Sequence, residues 1–160
     1  LWPGSRLLLG PAATAATVRS ALAGPGLVHL AAHGVHEAGN PLFSSLSLGD
    51  GPLFGYDVTG GSPVPHQVVL SACDLGRVTT RPGDEVLGMT AALLHAGIRS
   101  VLAGVARVND AVACEVMLGY HRGLRSGLSS AAALAAAIGD RVDAPFLCFG
   151  TDVPGLDVHP

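Results

Sequence analysis

The chain has 160 residues, 49% of them hydrophobic and 13% charged, with a formal net charge of −3. That composition suits one globular domain with a real core and excludes a disordered chain. Its nine basic residues are all Arg and are outnumbered by 12 acids, so there is no basic footprint for nucleic acid or an anionic membrane.

The cysteines, Cys73, Cys114 and Cys148, are odd in number and far apart. This argues against a disulfide framework or a thiolate zinc site and fits a reducing cytoplasm. Leu1-Trp2-Pro3-Gly4 lacks the charged and apolar regions of a signal peptide. The most apolar stretch, Ala91 to Val105, is interrupted by His95 and Arg99 and is not read as a membrane span.

In chain order, Arg6-Leu7-Leu8-Leu9-Gly10 reads as a buried strand ended by Gly10-Pro11. The Ala-rich stretch from Thr14 to Ala23 reads as a helix capped by Thr14. Gly26 to Gly34 reads as one buried strand. Ser45 to Leu48 and Pro52 to Phe54, joined by Gly49-Asp50-Gly51, predict a hairpin. Gly60-Gly61-Ser62-Pro63 is loop.

Gln67 to Cys73 is the clearest strand, continuous and β-branched. A polar loop from Asp74 to Asp84 follows it. Glu85 to Ala96 has helical spacing, with Gly97 as its stop. Ser100 to Val105 is another buried strand. Asn109 or Asp110 caps a helix to about Leu124, and Ser129 or Ser130 one to about Ile138. Pro145 to Gly150 is a last strand, and 151–160 reads as a tail or linker. Apolar strands alternating with helices predict an α/β fold, a mostly parallel sheet with helices on both faces.

Ligands of such sheets bind beyond the C-terminal ends of the strands. Two predicted strands end in reactive groups, His33-Gly34 and Cys73-Asp74. If the strands are neighbours, imidazole and thiol share one rim, which thiol nucleophilic catalysis requires. The Gly34 and Cys73 backbone amides could then form an oxyanion hole. A metal is not expected: on a strand His29 and His33 lie about 13 Å apart, too far for one ion. No G-x-S-x-G elbow accompanies Ser44, Ser45 or Ser71, which argues against a serine hydrolase. Cys114 and Cys148 read as packing residues.

Leu30-Ala31-Ala32-His33-Gly34 and Val68-Val69-Leu70-Ser71-Ala72-Cys73-Asp74-Leu75-Gly76 resemble the His and Cys strand ends of caspase-like peptidases. Five further segments resemble the bacterial, separase-related CHAT group in the same order. They are Gly10 to Thr14, Asn40 to Gly51, Gly83 to Gly88, Ala96 to Val101 and Val108 to Asp110. The resemblance covers roughly residues 6–150. Where many members carry a Trp, this chain has Val105-Ala106-Arg107.

The resemblance implies a single caspase-like domain over 1–150, a three-layer sandwich that lacks the strand and helix with which the family's domain usually begins. It also implies a cysteine endopeptidase with His33 as general base and acid and Cys73 as nucleophile. Asp74, Asp84 and Glu85 are candidates to line a substrate pocket. It implies no cofactor, a protein substrate, and an attached tetratricopeptide-like repeat region or activating partner. Two rivals stay open: a silent CHAT module acting as a scaffold, and a small-molecule-binding α/β domain in which His33 and Cys73 only pack.

Overall fold

The computed structural model describes residues 2–35, 37, 40–58, 64–71, 84–106 and 108–155. A four-stranded sheet in the order β1-β5-β6-β7 forms the centre. Its strands are Leu27–Leu30 (β1), Gln67–Leu70 (β5), Ser100–Gly104 (β6) and Phe146–Gly150 (β7). β1, β5 and β6 run parallel, and β7 runs antiparallel to β6. The fold is therefore the expected α/β sandwich with a mostly parallel sheet.

The period-two alternation of strand side chains splits the core between two faces. Val68, Leu70, Val101 and Ala103 face α1 (Ala15–Leu22) and α2 (Asp84–His95). Val69, Leu102 and Phe146 face α3 (Asp110–Arg125) and α4 (Ser130–Ile138). A strand buried on both sides has no polar face, which is why Gln67-Val68-Val69-Leu70 reads as a continuous apolar run after its first residue.

The caps follow the sequence. Thr14 and Thr17 form a reciprocal capping box on α1. Asn109, rather than Asp110, accepts from the Ala111 amide and caps α3. Ser129 caps α4. Gly97, at φ +97, turns the chain out of α2 in a conformation that L side chains rarely adopt.

Three expectations need revision. Residues 6–9 form no strand, and Leu7 and Leu9 are 78% and 69% exposed. An apolar run becomes a strand only where a ladder partner exists, and none of the described residues pairs with it. The run Gly26 to Gly34 is divided: β1 ends at Leu30, and His33–Val35 (β2) joins a second sheet. That sheet is antiparallel, in the order β2-β3-β4, with β3 at Ser45–Leu48 and β4 at Gly51–Phe54. The expected hairpin is thus present, and it captures the second half of the His segment.

Lastly, residues 151–155 pack on α4 instead of trailing away. The Asp152 carboxylate accepts from Ser130 Oγ (2.8 Å) and the Ala131 amide (2.9 Å). Those bonds, the Ala131 amide first, hold its carboxyl below the usual range.

Among the described residues no helix is long and apolar enough to cross a membrane.

Helices α3 and α4 meet through small residues. A Cβ added at Gly123 would lie 3.0 Å from the Ala133 Cβ, and one at Gly119 would lie 3.1 Å from the Ala137 Cβ. This close approach sets how α3 and α4 pack against each other. We therefore expect Gly123→Leu to destabilise the protein by about 1–3 kcal/mol through overpacking, read from urea unfolding. An unchanged midpoint would show that the helix pair can spread at no cost.

Candidate active site

β1 and β5 are neighbours, paired in parallel register with Leu30 opposite Leu70. His33 lies three residues beyond Leu30, and Cys73 lies three residues beyond Leu70 in the chain. The strands that precede the two candidates in the chain therefore end side by side, at Leu30 and Leu70. The Ser71 amide still donates to the Leu30 carbonyl at 2.9 Å, so the pairing continues one step past the regular strands.

His33 opens β2 opposite Ser47 and is exposed, while Gly34 is opposite Leu46 and partly buried. The antiparallel pairing of β2 with β3 thus places His33 on the small sheet instead of at the end of β1. Cys73 and Asp74 lie outside the described residues. Asp84 and Glu85 open α2, and their side chains lie outside the described residues too.

Cys148 is not a nucleophile candidate. Burial, and then Asp152, push the Cys148 thiol up to about 11, which keeps it protonated at neutral pH. Cys114, expected to pack, is exposed on α3.

Sequence reasoning missed a chain of hydrogen bonds at the same rim. His29 Nε2 lies 2.8 Å from Ser71 Oγ, and His29 Nδ1 lies 2.9 Å from His121 Nε2. The indole N–H of Trp2 donates to His121 Nδ1 at 3.0 Å. The two imidazoles stack with their centroids 5.1 Å apart. Strand parity was the available signal. Leu27 packs on the α3 side and Val28 on the α1 side, so His29 faces α3 and needs a polar partner there.

Indole donates and cannot accept, so it sets the direction of the whole chain. His121 Nδ1 must accept, which leaves its proton on Nε2 to be given to His29 Nδ1. His29 then carries its proton on Nε2 and gives it to Ser71 Oγ. Ser71 therefore meets an N–H and not a basic lone pair, so this is no serine nucleophile. Protonating either ring would set N–H against N–H somewhere along the chain.

Electrostatics point the same way. His29 keeps an exposed edge, but burial of its ring and then the neighbouring His121 pull it down to about 4. Burial also lowers His121. Beside them the Tyr120 hydroxyl accepts a hydrogen bond from the Gln67 amide at the start of β5. Burial raises that phenol well above its ordinary value. Among the described residues no three His, Cys, Asp or Glu side chains converge as metal ligands.

A stability signature follows. The unfolded chain protonates His29 near 6.5, whereas the folded chain resists until about 4. The unfolded state binds more protons within that window, so stability is full above it and falls as pH drops through it. Thermal midpoints should decline from pH 7 to pH 5, less so in His29→Gln, and the fluorescence of Trp2, the single tryptophan, should change over the same range. Equal pH dependence in both proteins would show that His29 is not held neutral.

A family model for the CHAT domain matches residues 1–144. Among curated proteins none matches the chain. CHAT domains form a caspase-like cysteine peptidase family, in keeping with the parallel sheet and its helix-covered faces. With nine-tenths of its length matched, the chain belongs to the CHAT domain family.

Proposed function

We propose that the protein is a cysteine endopeptidase acting through His33 and Cys73. The observation that supports this reading is the β1–β5 register: Leu30 lies opposite Leu70, and His33 and Cys73 each follow three residues later in the chain. Membership of a caspase-like peptidase family supports it.

In this mechanism His33 takes the Cys73 thiol proton, and the thiolate attacks the carbonyl carbon of the scissile peptide. The Gly34 and Cys73 amides stabilise the oxyanion. The tetrahedral adduct collapses and breaks the C–N bond. The imidazolium gives its proton to the departing amine, leaving a thioester on Cys73. Water, deprotonated by His33, attacks the thioester and releases the acid and the free thiol.

Asp74, Asp84 and Glu85 would supply negative charge near the pocket and favour a basic side chain beside the scissile bond. Activation would come from an attached repeat region or a partner that orders the loop after Cys73. A reducing, cytoplasmic setting would keep the thiols available.

The test is labelling of the full chain with peptidyl acyloxymethyl ketones. Cys73 should be modified in wild type, and the adduct should vanish in Cys73→Ala and fall at least about a hundredfold in His33→Ala. Probes with a basic residue next to the reactive group should label fastest. Undiminished labelling of His33→Ala would show a merely exposed thiol and overturn the dyad.

A further inference from the structure

We infer that His29 is a positioning residue for the nucleophile's strand: by holding Ser71 it fixes the exit of β5, and through His121 and Trp2 it ties that exit to α3 and the N-terminal segment. The inference rests on the peptidase reading only where it concerns Cys73. The hydrogen-bond chain stands by itself.

Ser71 is the last described residue before Cys73 in the chain, and it is held twice. Its amide donates to the Leu30 carbonyl of β1, and its hydroxyl accepts from His29 Nε2 of the same strand. A backbone bond alone fixes the ladder but leaves the strand end free to fray, as ladder ends do. The side-chain bond adds a second restraint from the strand that also leads to His33. His29 is thus placed to set the spacing of the two strand exits, and an error of about 1 Å at a reacting centre can cost about a hundredfold in rate.

The restraint reaches further than one pair. His121 sits on α3 beside the buried Tyr120, whose hydroxyl is tied to Gln67 at the other end of β5. α3 therefore grips β5 at its entry through Tyr120–Gln67 and at its exit through His121–His29–Ser71. Trp2 closes the chain and dictates its polarity.

That polarity makes the device proton-sensitive. Only neutral rings satisfy it, and burial keeps both rings neutral near pH 7. The groups facing the pair are Ser71 beyond β5, Tyr120 on α3, and Trp2 from the N-terminal segment. His33 follows four residues after His29, so it is left untouched in every variant.

Two readouts on the full chain test this. The first is hydrogen exchange of the residue-71 amide. His29→Ala and Ser71→Ala should each speed it about tenfold or more, while Val101 to Ala103 of β6 keep their protection. Ser71→Ala removes only a hydroxyl, so it serves if His29→Ala fails to fold. The second readout is the pH profile of Cys73 labelling. Both variants should slow labelling at pH 7.5 at least about tenfold. His29→Gln, which can both give and accept a hydrogen bond but cannot take up a proton, should restore both readouts and remove any loss of labelling between pH 6.5 and 4 beyond that set by the Cys73 thiolate itself. Wild-type exchange and labelling in both truncation variants would overturn the inference, as would loosened exchange with undiminished labelling. Loosened exchange together with no Cys73 labelling of wild type at any pH would uphold the hold on β5 and sink the peptidase reading instead.

Discussion

Parallel pairing of β1 with β5, in the register that sets Leu30 against Leu70, is the constraint from which the site follows. A slip of one residue would turn Val68, Val69 and Leu70 to the wrong faces, and all three are buried to 1% exposure or less. Each such side chain is worth about 1.5–3 kcal/mol when removed from water. The register is therefore set by both helical layers together. Hydrophobic packing thus sets the spacing of the strand ends Leu30 and Leu70, on which the proposed dyad relies.

The same comparison of magnitudes assigns the role of the hydrogen-bond chain. A net hydrogen bond contributes about 0.5–1.5 kcal/mol, less than the apolar contact of a single buried Leu. Val116, Met117, Tyr120 and Leu124 therefore dock α3, and the small residues Gly119 and Gly123 let α4 come close behind it. Trp2, His121, His29 and Ser71 add direction to that docking. Each proton in the chain has one possible position while Trp2 donates at its far end. Packing places the helix, and the polar chain sets which strand end it holds and over what pH range.

Much of this was legible in the sequence because it depends on local pattern. β-branched continuity marked β5, Thr14, Asn109 and Ser129 marked helix starts, and Gly49-Asp50 marked the hairpin turn. What could not be read depends on distant partners. Leu7-Leu8-Leu9 has the composition of a strand, but no strand lies beside it among the described residues. The run from Gly26 to Gly34 reads as one strand because composition does not encode that its halves find different sheets. His29 looked like a candidate metal ligand to be dismissed. Its partners lie 92 and 42 residues away in the chain, and no local spacing announces them. The His33–Cys73 pair was proposed from strand ends, and the adjacency of the strands leading to them is now given by the register.

Family membership makes a caspase-like reaction the natural use of this rim, and the central claim is that His33 activates Cys73 across it. The most direct measurement is the acidity of the Cys73 thiol, taken from the pH dependence of its alkylation rate in wild type and in His33→Ala. The account predicts a wild-type midpoint clearly below the ordinary thiol value of about 8.5, returning toward that value when the imidazole is removed. The same midpoint in both proteins would mean that the two groups do not meet, and would contradict the account.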